Sequence, residues 1–465
     1  MTRDSEHASG ALQAAQPLDA LVRALDAAPQ DAALHRSMAD ARRTQGDALG
    51  ALAHWIAAQT LDAYAAGSPD ASVSELCTVA TGYFMKGDSE AAIRWYGLVL
   101  AIDRNVAVAY QNLAAIHASE GRAAEAGACR ARAYEIQRVF VERAGEPVRD
   151  VLILCTGAGT GNVPFDALLP GATCGRIKYA IDYARDDEDA HLPPYDLVFN
   201  AIGDPDAAAP LAQRLKRFAA RCQRALLNPP AAIERTFRDR LPALLSELEG
   251  VAAATAACIR LETPPPSRDA LVERLAAGGL ALPVLARPAA THGGEGLARC
   301  DSLDALEAKL KTLDGAHYLS AFSDVRSPDG HYRKYRMIFV DREPYPCHLA
   351  ISPHWMVHYF SAEMEQHAWK LDEERRFLDD PRAALGDGPV DAVAAIARRI
   401  DLDYGGIDFT VLPDGRVFVF EANATMLAHF ERSNGVLAHK NRHVQRIVDA
   451  FERLLARRTG TGGGA

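Results

Sequence analysis

The stretch Gly405-Gly406-Ile407-Asp408-Phe409-Thr410-Val411-Leu412-Pro413-Asp414-Gly415-Arg416-Val417-Phe418-Val419-Phe420-Glu421-Ala422-Asn423 reads as two short apolar strands joined by a Pro-Asp-Gly turn. Each strand carries an acidic residue that a purely structural hairpin does not need. Asp408 lies on the first strand, and Glu421 and Asn423 end the second. Residues two apart on a strand share a face, so Glu421 and Asn423 point the same way and Asp408 can sit opposite them. Three hard oxygen side chains converging on a sheet surface suit one or two Mg2+ ions whose other ligands are waters and phosphate oxygens. A solvent-facing hairpin with ordinary acidic ends is the competing reading. Phe409, Val417, Val419 and Phe420 argue instead for a buried pair, where an unpaired carboxylate is costly.

Upstream, the run Leu282 to Ala286 is an apolar strand that delivers Arg287, then opens into the polar loop Thr291-His292-Gly293-Gly294-Glu295-Gly296. A guanidinium there suits phosphate oxygens, and backbone N–H groups of the glycine loop can cover the same anion. A surface hairpin with an incidental arginine is the alternative, and His292 is either phosphate-facing or a plain loop residue. After the turn Ser327-Pro328-Asp329-Gly330 comes His331 to Val340, with Lys334 and Arg336 on one strand face and Tyr335 on the other. A basic pair beside the acidic face would balance phosphate and carboxylate ligands, with Arg336 the stronger catalytic candidate. A solvated cationic strand stays open as well. His354-Trp355-Met356-Val357-His358-Tyr359 is either packing beneath a loop or the lining of an acceptor pocket.

Before this region, Val151 to Cys155 and Tyr195 to Asp204 read as strands alternating with helices such as Ala209 to Cys222, a small α/β domain with a parallel sheet. The loop Thr156-Gly157-Ala158-Gly159-Thr160-Gly161-Asn162 lacks Gly-x-Gly-x-x-Gly and any Gly-Lys-Ser/Thr, so it is either a tight structural turn or a loop bordering a substrate.

From about 31 to 145 the chain reads as consecutive alanine-rich helices. Gly87-Asp88-Ser89-Glu90-Ala91-Ala92 is echoed by Gly121-Arg122-Ala123-Ala124-Glu125-Ala126, and Ala80 by Ala114. A less regular copy begins at Gln45-Gly46-Asp47. Small residues let paired helices approach, and the glycines fit the turns. Trp55, Trp95 and Tyr96 read as inter-helix packing. The pattern resembles tetratricopeptide repeats, which implies a curved scaffold for a peptide or protein partner or for another subunit, a homo-oligomer included. A plain helical bundle is the alternative.

At 465 residues two or three domains are expected, and a formal charge of −10 argues against nonspecific binding to nucleic acid or an anionic membrane. The N-terminus has no apolar signal core, and no stretch approaches the length of a membrane span. Eight scattered cysteines without a C-x-x-C pair point to a reduced, cytoplasmic protein.

Taken in order, Arg287 with its glycine loop, Arg336, and Asp408 with Glu421-Ala422-Asn423 resemble the motifs of the ATP-grasp superfamily, nearest to its glutathione-synthase-like and ribosomal-protein-modifying carboxylate–amine ligases. The resemblance covers residues 150 to 455. It implies a multidomain chain: a flexible 1–30, helical repeats over 31–146, an α/β pre-grasp domain over 147–245, an α+β ATP-grasp domain over 246–455, and a disordered 456–465. It implies ATP with Mg2+, or Mn2+, held by Asp408, Glu421 and Asn423. Arg287 stands where a phosphate-binding lysine is usual, with Arg240 as the second such cation, and Gly293, Gly294, His292 and Lys334 complete the nucleotide site. Arg336 would stabilise the acyl phosphate or the transferred phosphoryl group. The implied reaction joins a small-molecule or peptide carboxylate to an amine through an acyl phosphate. A non-catalytic nucleotide-binding adaptor and a small-molecule kinase of ATP-grasp type are the other functions compatible with these motifs. The departures are specific. The hinge Tyr318-Leu319-Ser320-Ala321-Phe322 has no acidic residue, for which Asp324 is the substitute, and Gly406 stands where the dipeptide-ligase branch often has arginine. Without that branch's Ser-Pro-Gly after Asn423, a D-alanine ligase is disfavoured.

Overall fold

A computed structural model describes residues 18–68, 70–291 and 293–460. His292 and, of the expected loose ends, residues 1–17 and 461–465 lie outside the described residues, while residues 456–459, placed in the disordered tail, instead complete the helix Asn441–Thr459. The chain divides into two compact units, at Arg138/Val139. Among the described residues, no helix is long and apolar enough to cross a membrane.

The first unit is all helical: α1 (Leu18–Ala27), α2 (Ala32–Thr44), α3 (Ala48–Ala65), α4 (Asp70–Met85), α5 (Ser89–Ile102), α6 (Ala107–Ser119) and α7 (Ala123–Ile136). Helices α2/α3, α4/α5 and α6/α7 pack as consecutive hairpins. Their turns are written into Gly-Asp pairs. Gly46 and Gly87 take left-handed conformations with φ of +81° and +79°, and the following Asp47 and Asp88 cap the next helix by accepting from the Gly50 and Ala91 N–H groups. The third copy keeps the glycine, Gly121, but Arg122 makes no side-chain cap. Ala80, Ala92, Ala114 and Ala126 are all buried at the helix contacts. Two expectations change here. Residues 18–27, placed in a flexible terminus, form α1, whose Leu21 and Leu25 pack with Met38. Trp95 and Tyr96 are core residues, but Trp55 is 50% exposed, because α3 turns Ala53, Ala57 and Leu61 inward instead.

The second unit opens with a five-stranded sheet built from β1 (Val139–Glu142), β2 (Arg149–Cys155), β3 (Cys174–Ala180), β4 (Leu197–Asn200) and β5 (Leu226–Leu227), in the order β1-β3-β2-β4-β5. The strands from β2 onward run parallel and β1 is antiparallel to β3. Residues 139–142 were expected at the end of the helical run; the β-branched and aromatic Val139-Phe140-Val141 instead pairs along Tyr179, Lys178 and Ile177. The loop after β2 closes on itself: Asn162 accepts from the Thr156 N–H and donates back to its carbonyl, and Asp182 accepts from the Gly157 N–H.

Next come β6 (Ala253–Thr255), β7 (Cys258–Leu261), β8 (Val284–Pro288), β9 (Ala298–Cys300) and β10 (His317–Ala321). Strands β7-β10-β8-β9 make an antiparallel sheet. Finally β11 (Tyr332–Val340), β12 (Glu343–Ser352), β13 (Tyr404–Val411) and β14 (Val417–Asn423) join β6 in the order β12-β11-β13-β14-β6. One face of this last sheet carries Tyr335, Met337, Ile407 and Phe409 into the main core beneath the helices Ala368–Asp379 and Asp387–Ile400. On the other face Ile338, Val340 and Tyr404 pack under the helix Asn441–Thr459, which leaves the part around Arg336 open to a cavity.

Candidate active site

The turn Pro413-Asp414-Gly415 makes the β13–β14 hairpin as the sequence suggests, with Gly415 at φ +84° and the Leu412 N–H donating to the Arg416 carbonyl. The register then sets Asp408 against Glu421 across β13 and β14, Arg336 against Asp408 across β11 and β13, and His348 against Arg336 across β12 and β11. Directly opposed residues project from the same face. Glu421, Asp408, Arg336 and His348 therefore form one lateral row across four strands, and all four line the same cavity.

Arg336 grips Asp408 with two bonds, Nε to Oδ1 at 2.7 Å and Nη2 to Oδ2 at 2.9 Å. Lys334, two residues earlier on the same face, places Nζ 3.2 Å from Asp408 Oδ2. The Asp408 side chain is 1% exposed, so burial opposes its ionisation, but Arg336 and Lys334 outweigh burial and hold the carboxyl well below the usual carboxylate range. Glu421 meets Arg238 at 2.5 Å. Burial again opposes the charge, and Arg238, helped by Arg287 and Lys334, pulls the carboxyl down to about 2. Arg287 has less support: its Nη2 donates to the Thr291 carbonyl and to Thr291 Oγ1, while its buried Nε has no partner. Burial and the neighbouring Arg238 lower its pKa to about 10. Five cations, Arg238, Arg287, Lys334, Arg336 and Lys440, and three carboxylates, Asp408, Glu421 and Glu431, line the cavity, an excess of positive charge that suits a polyanion.

Arg238 was not singled out in the sequence. It sits between the short helices Pro230–Glu234 and Leu241–Ser246, where no strand or helix periodicity marks an inward side chain. The expected second cation, Arg240, lies outside the cavity lining; it stacks over the Phe237 ring at 4.7 Å and approaches Glu234 at 3.7 Å. Asp324 also turns away, toward Arg326 at 2.6 Å, while its neighbours Ser323 and Val325 line the cavity. Gly293 and Gly294 do line it, at φ +63° and +83°. A Cβ on Gly293 would lie 3.3 Å from His358 Nε2, and one on Gly294 3.4 Å from the Met356 sulfur. The backbone conformation is what calls for glycine there, since the added Cβ atoms would only touch movable side-chain ends.

Gly406 has a different explanation. A Cβ there would collide with the Met337 carbonyl oxygen, so that position is closed to any longer side chain. The cation over Asp408 comes from Arg336 on the neighbouring strand instead.

The donor set fits a divalent cation in part. Asp408 and Glu421 are opposed oxygen donors, and each carboxylate has lone pairs beyond those its arginine uses. Asn423 is placed differently: its Oδ1 accepts from both the N–H and the hydroxyl of Thr425, each at 2.6 Å. Among the described residues, no group of three or more His, Cys, Asp or Glu side chains gathers as a ligand cluster. Two protein carboxylates completed by ligand oxygens is the arrangement these residues can offer.

No protein-family model matches the chain, and no curated protein matches its sequence. Among solved structures, VanG D-Ala:D-Ser ligase from Enterococcus faecalis aligns with 66% of this chain and 99% of its own at 11% identity and a TM-score of 0.42. D-cycloserine synthetase DcsG covers 65% and 99% at 16% identity and a TM-score of 0.40. A RimK domain protein from Sphaerobacter thermophilus covers 65% and 99% at 15% identity and a TM-score of 0.39. Likenesses at this level carry no argument about chemistry, and the row of side chains stands by itself.

Proposed function

We propose that the chain is an ATP-dependent carboxylate–amine ligase of ATP-grasp type, with 147–245 as pre-grasp domain and 246–455 as the grasp. The observation that supports this most is the cavity's charge pattern: Asp408 and Glu421 opposed on neighbouring strands, with Arg238, Arg287, Lys334 and Arg336 around them. ATP enters as a consumed substrate. Arg287 and Arg238 receive its phosphates, and Leu285, Ala321 and Phe418 offer the apolar slot a base needs. A carboxylate oxygen of the second substrate bonds to the γ-phosphorus as the bridging bond to ADP breaks. Arg336 and Lys334 offset the charge on the transferred group. An amine lone pair then attacks the acyl carbon, inorganic phosphate leaves with the electron pair, and the nitrogen loses its proton. Mg2+ or Mn2+ held by Asp408 and Glu421, with Asn423 once released from Thr425, would neutralise phosphate charge during transfer. Gly293 and Gly294 let their loop close over the site and keep water from the acyl phosphate.

The Gly-Asp hairpins of the first unit support a tetratricopeptide-like scaffold that recruits a peptide or protein. The eight cysteines, all free, agree with a reducing, cytoplasmic setting.

Incubation of the pure protein with ATP, Mg2+ and pooled amino acids or peptides, followed by mass spectrometry, tests the reading. ADP and an amide product are expected, with turnover reduced by about 10²–10³-fold in Glu421→Gln. Failure to bind Mg-ATP would overturn it, and a stable phosphorylated product formed without an amine would favour a kinase instead.

A further inference from the structure

The cavity is lined from two sheets. The row that ends at Glu421 belongs to β12-β11-β13-β14-β6, whereas Arg287 and Tyr318 belong to β7-β10-β8-β9. Arg287 and the Arg238–Glu421 pair can meet one polyphosphate only if the two sheets keep a fixed spacing. The α/β domain that opens the second unit touches both. It is locked to the first sheet through Asn228, fully buried just after β5. The Asn228 N–H donates to Asp403 Oδ2 at 2.7 Å, its Nδ2 donates to the Tyr404 carbonyl at 2.8 Å, and its Oδ1 accepts from the Asp403 and Tyr404 N–H groups, each at 3.0 Å. Gly203 presses on the same sheet, since an added Cβ would lie 3.0 Å from the backbone carbonyl carbon of Ala424.

The same domain reaches the second sheet with Asp206, on the short helix Pro205–Ala208 that Asp204 caps. The Asp206 side chain is 8% exposed. Its Oδ1 accepts from the Tyr318 hydroxyl at 2.9 Å and from Arg260 Nη1, and its Oδ2 takes a longer bond, 3.4 Å, from the Ala290 N–H. Arg260 opposes Tyr318 across β7 and β10, and Tyr318 opposes Arg287 across β10 and β8. Opposed residues share a face, so these three form a second lateral row. Asp206 grips its first two members, and Arg287 is the third. The Ala290 bond works from the other side. Ala290 holds a left-handed φ of +54°, and Thr291 after it supplies the two oxygens that receive Arg287 Nη2. Arg260 has Glu262 at 3.0 Å as a further partner, so Asp206 is not needed merely to balance its charge.

We propose that Asp206 is a positioning residue for Arg287. It ties the sheet that carries Arg287 to the domain anchored by Asn228, and so sets the spacing at which a single polyphosphate reaches both Arg287 and Arg238. The proposal rests on the ligase reading only in taking those phosphates to be ATP's, and the anion-binding geometry is testable without a nucleotide.

Titrations of the full chain with two probes, a fluorescent ATP analogue with Mg2+ and inorganic tripolyphosphate alone, test it. Arg287→Ala is expected to weaken binding of both about 30-fold, and Asp206→Ala about ten-fold. If Asp206 acts through Arg287, the losses do not multiply, and the double variant binds no more than about three-fold more weakly than Arg287→Ala. Tyr318→Phe, which removes only the hydroxyl that meets Asp206, should lose about three-fold alone and nothing further in the Arg287→Ala background. A double variant weakened about 300-fold, the product of the single losses, would overturn the proposal. Parent-like binding by Asp206→Ala would overturn it as well. Should Asp206→Ala not fold, the cycle of Tyr318→Phe with Arg287→Ala decides by the same criterion. Tripolyphosphate binding without binding of the ATP analogue would sink the ligase reading, and Asp206 would then be judged on tripolyphosphate. Binding of neither probe to the parent would sink both.

Discussion

In the row across β14, β13, β11 and β12 the buried carboxylates meet guanidinium groups, whereas in the helical hairpins His35 and His54 are packed against each other as neutral rings. Their Nδ1 atoms are 2.9 Å apart and both rings lie beside Trp95. A carboxylate kept ionised by a cation can trade that partner for a metal or a ligand. Two neutral rings joined Nδ1 to Nδ1 share one hydrogen bond, which is lost if both take up a proton. The first arrangement is built for exchange and the second for shape.

The largest way to break this contrast is to remove one side of the row's central pair. Arg336→Met leaves Asp408 buried with Lys334 as its nearest remaining cation, and a loss of about 3–5 kcal/mol is expected. Urea unfolding measures it, and a loss under about 1 kcal/mol would show that the pair is solvated after all. In the hairpins the vulnerable quantity is volume. Ala92 is fully buried between helices, so Ala92→Leu should destabilise the first unit by about 1–3 kcal/mol through overpacking, read by the same unfolding experiment, with ATP turnover at low denaturant retained.

Acid separates the two regions more gently. Burial, then the proximity of His35 and Arg42, lowers the His54 pKa from 6.5 to about 3, and burial lowers that of His35. The unfolded chain binds protons that the folded one refuses. The contribution of these rings is therefore complete above pH 6.5 and declines as pH falls from there toward 3. Glu421, held near 2 against an ordinary 4.5, contributes fully above 4.5 and loses its share only below it. Hydrogen exchange followed by mass spectrometry at pH 7 and pH 5, corrected for intrinsic rates, should show α2, α3 and α5 opening more readily at pH 5 and β11, β13 and β14 unchanged. The reverse order would break the comparison.

What was legible in the sequence follows the reach of local periodicity. Period two put Lys334 and Arg336 on one face and Tyr335 on the other, and the Pro-Asp-Gly turn announced the hairpin. The register, however, runs Phe409 against Val419 and then shifts by one residue, and that shift, which the turn does not signal, is what opposes Asp408 to Glu421. The Gly-Asp pairs announced the helical turns. His348 was hidden because its place depends on how β12 pairs with β11, including a register shift after Arg336. Arg238 reaches Glu421 across 183 residues of chain, and nothing near it in sequence signals that contact. Glu431 and Lys440 come from a loop and a helix start, where neither period applies.

Arg238 and Arg240 give the smallest expected effect and the sharpest control. They are two residues apart with the same side chain, yet one is half-buried against Glu421 and the other is exposed over Phe237. If charge near the phosphate end were what mattered, both substitutions to alanine would weaken nucleotide binding alike. If the fixed pairing within the row matters, Arg238→Ala should weaken it markedly. Arg240→Ala should leave both binding and stability within about 0.5 kcal/mol of the parent, as for most surface substitutions. Titration of a fluorescent ATP analogue into each variant distinguishes the two. An equal loss in both would return the second phosphate-facing role to Arg240 and dissolve the row's claim to be the organising element of the site.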